Sequence, residues 1–209
     1  LIIDNCVPIA PFGDRPMVIV AGGPSLTLSQ VRQIGIARAR DKIRVIAIND
    51  AIYPCWFADL LHACDRKWHD LHGGVPAFKG VKTSLEITGY HDVRTLKNTG
   101  VGGFDDAPGC IRSGGNGGYQ AVHLAAKLGA RTIILVGYDY SDDGARLHWF
   151  GPHKGEMDKH SNVQNWRKHM RELTDELAGR GIRCVNATIR STIDWLPRVS
   201  LDTDGWEIL

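Results

Sequence analysis

At 209 residues, 43% hydrophobic and 23% charged, the chain has the composition of a globular protein long enough to bury a core without disulfides or metal. Its formal charge of +2 is too small to argue for a nucleic-acid partner, and no apolar run approaches the roughly 20 residues of a membrane-spanning helix. The five cysteines (Cys6, Cys55, Cys64, Cys110 and Cys184) are odd in number with no C-x-x-C pair, which disfavours a disulfide framework or zinc knuckle and makes a reducing cytoplasm the expected location.

Residues 1–16 lack the basic start and long apolar middle of a secretory signal and read as an N-terminal arm. Met17–Ala21 then reads as a buried strand running into Gly22-Gly23-Pro24-Ser25. A helix is expected over Thr27–Ala39, with Ser25 or Thr27 as N-cap and Leu28, Val31, Ile34 and Ile36 as its apolar stripe. A strand, a glycine turn and a helix start make the layout of a phosphate site, because glycines admit close approach and the helix N-terminus offers unpaired N–H groups. The same layout also serves as a tight connection in a parallel sheet.

Arg44–Ile48 is the second expected strand, ending in Asn49-Asp50, either a polar pair at a ligand-binding strand end or a turn. Asp59–Ala63 is the third, followed by Cys64-Asp65-Arg66, which gives Asp65 the same kind of address. Val81–Ile87 reads as a further strand at the sheet edge. Lys97–Gly118 carries eight glycines and little periodicity, so it is expected to be a long functional or mobile loop.

Gly114–Gly118 opens onto an expected helix over Tyr119–Leu128, with Ala121, Leu124, Ala125 and Leu128 on its packed face and Gly129 as its stop. Small residues there admit phosphate or sugar, or simply feed a buried helix. Thr132–Val136 has the continuous apolar character of a strand buried on both faces, and ends in Gly137-Tyr138-Asp139-Tyr140. Asp139 is placed to orient a ribose, a metal or a protonated partner, or to serve as a turn or cap residue. Asp65 and Asp139 together offer carboxylates for a nucleotide-borne magnesium ion.

Ser141–Ser161 reads as a polar loop carrying His148, Trp149, His153 and His160. His148 and His153 are separated by Gly151-Pro152, which breaks a helix and argues against a zinc pair. A loop histidine with an ordinary pKa of about 6.5 suits a general base instead. The remaining His62, His72, His91, His123, His160 and His169 read as surface residues. Asn162–Leu177 is expected to be an amphipathic helix with Val163, Trp166, Met170, Leu173 and Leu177 on one face. Arg183–Val185 is the final expected strand and Thr192–Leu196 a short helix. Trp206, Ile208 and Leu209 in the tail pack on the domain or on a neighbour, the ground for expecting a homo-oligomer. No Gly-x-Ser-x-Gly occurs and no cysteine has an evident histidine partner, which disfavours nucleophilic hydrolysis.

The alternation predicts an α/β fold: one Rossmann-like domain over residues 17–196, with a mainly parallel sheet, helices on both faces and a tail at 197–209. The order VIVAGGPSL, AIND, SGGNGGYQAVHLAAKLGA, IILVGYDY and HWFGPHKG, followed by an amphipathic helix, resembles the bacterial sialyltransferases of glycosyltransferase family 42. It also resembles the related 6-hydroxymethylpterin diphosphokinase, MptE-like group. The likeness covers about residues 17–187.

The resemblance to the sialyltransferases implies a nucleotide-dependent transferase. Its donor would be a nucleotide sugar of the CMP-sugar type, held by Gly22, Gly23, Pro24, Ser25 and Asn49 together with Asn116, Gly117, Gly118, Asp139 and Tyr140. Carried over from the family's H-Y-I-G-H motif, His153 is the implied catalytic base and His148 matches the first histidine, with Pro152 as an insertion. The acceptor is a small molecule or a glycan. The pterin kinases give the alternative, an ATP- and magnesium-dependent diphosphotransferase using Asp65 and Asp139. A nucleotide-binding sensor or assembly module is the non-enzymatic alternative.

Overall fold

The computed structural model describes residues 9–141 and 162–201. In chain order the elements are β1 (Met17–Val20), α1 (Leu28–Ala39), β2 (Arg44–Ile48), a 3-10 turn (Asn49–Ile52), β3 (Leu60–His62), α2 (Arg66–Leu71), β4 (Val81–Ser84) and β5 (Val93–Thr95). There follow β6 (Lys97–Asn98), β7 (Cys110–Ile111), α3 (Gly117–Lys127), β8 (Thr132–Val136), α4 (Val163–Gly179) and β9 (Arg183–Asn186). Seven strands form one all-parallel sheet in the order β5-β4-β3-β2-β1-β8-β9, and β6 and β7 pair separately as a short parallel ribbon. The fold is α/β and Rossmann-like.

Strand periodicity divides the core between the two faces of the sheet. Val18, Val20, Val45, Ala47, Leu61, Ile134 and Val136 pack with Val31 and Ile34 of α1 and with Trp68 of α2. Met17, Ile19, Ile46, Ile48, Leu60, Ile133 and Leu135 pack with α3 and with Met170, Leu173 and Leu177 of α4. From β1 the chain steps outward through β2 to β5 with α1 and α2 on one face. It returns to β8 beside β1 and continues to β9, with α3 and α4 on the other. The order therefore reverses between β1 and β8, and the C-terminal ends of those two strands open a crevice.

Several expectations are corrected. In α1 the buried side chains are Gln30, Val31, Ile34 and Ala37, whereas Leu28 is 70% and Ile36 44% exposed. Ile36 lies two residues past Ile34, about 200° round the helix, on the far side of the stripe. The strand Val81–Ile87 ends at Ser84 and is not the edge, since β5 lies outside it. Thr192–Leu196 forms no helix. Past β9 the chain stays against the sheet as far as Leu201: Val199 N–H donates to Asn186 O and Leu201 is buried. Residues 202–209, including Trp206, lie outside the described residues.

Lys97–Gly118 is not a loose loop. Beyond the β6–β7 ribbon, Phe104 N–H donates to Glu176 Oε2 at 2.9 Å, and Lys127 Nζ donates to Asp105 O at 2.7 Å. Arg112 N–H donates to His123 Nδ1 at 3.0 Å. His123 is thus a buried anchor rather than a surface residue, and so is His62. His62 Nε2 faces Gln120 Oε1 at 2.8 Å and its Nδ1 faces Thr83 Oγ1 at 2.9 Å. Gln120 Nε2 already donates to Ser113 O, so its Oε1 accepts from His62 Nε2–H, and the Thr83 hydroxyl serves the bare Nδ1.

Burial lowers the pKa of both histidines to about 4, keeping them neutral in the folded protein. In the unfolded chain they take protons from about pH 6.5 downward. Their stabilisation is therefore complete above that value and is lost as pH falls toward 4, by about 3 kcal/mol for each histidine. Denaturant unfolding at pH 7, 5.5 and 4.5 should show that loss, and His62→Gln should flatten the slope by one proton.

Candidate functional site

Four of the sequence-predicted residues, Ser25, Asn116, Asp139 and Tyr140, lie at the β1–β8 crevice. After β1 the chain turns through Gly22, Gly23, Pro24 and Ser25, and Ser25 N–H donates to Asp139 Oδ1 at 3.2 Å. After β8, Tyr140 donates its hydroxyl to Asn116 Oδ1 at 3.0 Å. That oxygen also accepts from Gly118 N at 2.6 Å and Tyr119 N at 3.2 Å, so Asn116 is the N-cap of α3. Asn49 follows β2, two strands from β8, and opens a 3-10 turn; the contact from this strand to the start of α3 is made by Ile48, whose Cγ2 would lie 3.4 Å from a Cβ on Gly117.

Two of these residues have left-handed backbones, Asn49 with φ 49° and Tyr140 with φ 48°. Asparagine tolerates that region, whereas tyrosine is strained there. Among the described residues Asn49 Oδ1 and Asp139 Oδ2 are buried without a hydrogen-bond partner, as are His69 Nδ1 and Arg112 Nε elsewhere. Buried polar atoms are nearly always paired, so the two oxygens just past β2 and β8 are bonding capacity that the described fold does not use. Asp139 is only 4% exposed, and burial raises its pKa against the opposing pull of the Ser25 hydrogen bonds and the Arg190 charge.

The glycines divide by role. A Cβ on Gly23 would fall 2.1 Å from Asp139 Oδ2 and 2.3 Å from Gly137 O, and Gly23 N–H donates to that same carbonyl at 3.0 Å. Glycine is needed here so that the two strand ends can touch, not so that a ligand can approach. Gly118 is crowded by Asn116 Oδ1 and the Tyr138 ring, and Tyr138 donates its hydroxyl to Gly118 O at 3.1 Å. Among the described residues a Cβ on Gly117 would meet the Ile48 methyl group alone, at 3.4 Å, an ordinary van der Waals contact.

The phosphate cradle expected at the first turn is largely closed. Leu26 N–H donates to Gly23 O, and Thr27 and Gln30 form a reciprocal capping box at the start of α1. With Gly23 and Ser25 also engaged, few N–H groups of that turn face outward. Asp65, the exposed N-cap of α2, stands apart. β3 and β8 are separated by β2 and β1, about 14 Å across the sheet at strand spacing, so Asp65 and Asp139 do not form one carboxylate pair. Among the described residues no group of three His, Cys, Asp or Glu side chains is arranged to hold a metal ion. His148 and His153 lie outside the described residues.

A cleft of about 790 Å³ opens beside Ser25 and Asp139, and its far wall is the segment Ile189–Asp194 with Arg198. Arg190 N–H donates to Ser25 Oγ at 3.3 Å, and Thr192 N–H to Asp139 O at 2.9 Å, tying this segment to both strand ends. The expected helix over Thr192–Leu196 overlaps only its last three residues, and Ile189–Ser191 were given no role by the sequence. The polar run Thr188-Ile189-Arg190-Ser191-Thr192, just past β9, carried the same strand-end signal that drew attention to Asn49 and Asp139.

Two variants separate packing from function at the glycines. Gly23→Ala should destabilise the fold by about 1–3 kcal/mol in denaturant unfolding, because the new methyl meets backbone. Gly117→Ala should leave stability within error. Asp139→Asn keeps the acceptor for Ser25 N–H and removes a buried charge. A carboxyl raised by burial weakens the fold as pH rises from 3.8 through its folded value. The melting temperature of Asp139→Asn should therefore exceed that of the wild type at pH 7, with the gap closing toward pH 4.

No protein-family model, curated protein or solved structure matches this chain.

Proposed function

We propose that the protein is a nucleotide-dependent transferase that moves a group, most simply a glycosyl unit, from a nucleotide-activated donor to an acceptor hydroxyl. The observation that carries this reading is the placement of Ser25, Asn116, Asp139 and Tyr140 where the strand order reverses, with the buried Asp139 Oδ2 unpaired among the described residues. That is the position at which open parallel sheets bind nucleotides. The cleft walled by Ile189–Asp194 has room for a ligand of that size, since small-molecule sites span roughly 300–1,000 Å³.

In this reading Asn49 and Asn116 hold the nucleoside, and the backbone at Gly117 lies against the donor. Asp139 and Tyr140 orient donor groups, and Arg190 offsets the phosphate charge. His153 takes the proton from the acceptor hydroxyl as the donor bond breaks, and the nucleotide leaves with its phosphate. A base near neutrality suits that task. The glycine turn after β1 shapes the crevice through Gly23 and Asp139 and contributes little direct phosphate binding.

Thermal-shift measurements with CMP, CMP-sugars, UDP-sugars, and ATP with and without magnesium test the donor class. A nucleotide or sugar nucleotide should raise the melting point without magnesium. Stabilisation by ATP only with magnesium, and none by CMP, would defeat the glycosyl reading. Once a donor and acceptor are in hand, His153→Ala should lower turnover at least 100-fold with donor affinity unchanged. Unaltered turnover removes His153 from the base role.

A further inference from the structure

The two faces of the sheet are finished differently toward solvent. Among the described residues eight large hydrophobic side chains are exposed, and none of them belongs to α3 or α4. Five belong to the opposite layer: Leu28 and Ile36 on α1, Tyr53 and Trp56 in the stretch after the 3-10 turn, and Leu71 on α2, each between 41% and 70% exposed. Contacts within the layer join them. A Cβ on Gly35 would lie 3.1 Å from Phe57 Cε1, so that stretch packs beside α1 next to Ile36. The Tyr53 and Trp56 rings meet edge to face with centroids 6.0 Å apart. The Tyr53 hydroxyl is paired with Nδ1 of His72, the residue that follows Leu71.

The unpaired charge on both helices includes a cation beside each aliphatic group. α1 contains no Asp or Glu. Its Arg38 is tied to Asp59 by two bonds, of 2.8 and 2.6 Å, whereas Arg32 and Arg40 are exposed and have no side-chain partner among the described residues. Arg32 lies four residues before Ile36 and Arg40 four after it, so both flank it on the outer side of the helix. On α2 Arg66 pairs with Asp70 at 3.3 Å, and Lys67, one turn before Leu71, is exposed with no side-chain partner among the described residues.

Single exposed hydrophobic residues are ordinary, but a connected set interleaved with unpaired cations marks a surface with a partner. A second copy docked two-fold on this layer would set like charges against each other, and a phosphodiester backbone gains nothing from aliphatic groups. An anionic bilayer surface uses both: acidic headgroups attract the cations, aliphatic side chains enter the acyl boundary, and Tyr and Trp settle at headgroup level. We propose that the α1–α2 layer is a docking face for an anionic lipid surface, with Leu28 and Ile36 entering the lipid and Arg32 and Arg40 meeting its headgroups. Because α1 starts just after Ser25, the docked protein holds the crevice alongside that surface.

Co-sedimentation with vesicles of phosphatidylcholine, alone or mixed with phosphatidylserine, tests this on the wild type, Arg32→Gln/Arg40→Gln and Leu28→Ser/Ile36→Ser. All four positions are exposed, so both variants should melt within error of the wild type. The wild type should sediment with the mixed vesicles, not with phosphatidylcholine alone, and should be released as salt rises. Removing the two arginines should weaken binding about 25-fold, and removing the two aliphatic groups about 10-fold or more. A wild type that stays in the supernatant overturns the proposal, and so does unchanged binding by either variant. A dimer in sedimentation velocity that Leu28→Ser/Ile36→Ser dissolves would give the face to a second copy instead, and capture of a DNA duplex but not of vesicles would give it to nucleic acid. None of these outcomes bears on the nucleotide reading, which thermal shift tests separately.

Discussion

The pairing of β1 with β8 is the constraint on which the site depends. These strands are neighbours in space but far apart in sequence, and their registers run Met17 to Ile133 through Val20 to Val136. Ala21 N–H extends the ladder to Val136 O, and Gly23 N–H extends it further to Gly137 O. Because the two ends touch, Asp139 reaches across to cap Ser25, and the segment after β9 is drawn in by Thr192 and Arg190. Each later contact presupposes the earlier one. The absence of a side chain at Gly23 is what allows the series to begin.

A second consequence of this layout is the division of labour across the sheet. The α1 face contributes Ser25 and, through the strand end, Asp139. The α3 and α4 face contributes Asn116 and Tyr140, whose hydroxyl donates to the Asn116 cap oxygen. Successive residues after β8 alternate between the two, so Asp139 and Tyr140 serve opposite sides of one crevice. The long segment between β5 and α3 is bound to α3 by His123 and Lys127 and to α4 by Glu176. It fixes the start of α3 against the sheet through contacts made within the fold itself.

Much of this was legible in the chain itself. Thr132–Val136 and Arg44–Ile48 read as strands because both their faces are buried, and their observed bounds agree with the periodicity. The strand-end rule pointed to Asn49 and Asp139 with no knowledge of contacts, and the resemblance added Tyr140. What escaped detection has a common cause in pairing across long sequence distances. β5, β6 and β7 are two or three residues long, too short to show a period, and exist because partners lie beside them. His62 and His123 look like surface residues in isolation, and only the surrounding Thr83, Gln120 and Arg112 make their burial tolerable. Gly23 could not be told from a phosphate-binding glycine until Gly137 was placed beside it.

The cap of α3 carries a consequence of its own. An aspartate at position 116 would accept from Gly118, Tyr119 and Tyr140 as well as asparagine does, and its charge would favour the positive end of the helix dipole. On grounds of helix stability the acid is the better residue. Asparagine forgoes that gain and keeps two N–H donors that a carboxylate lacks. Helix stability and the donors that an amide offers therefore pull this one position in opposite directions.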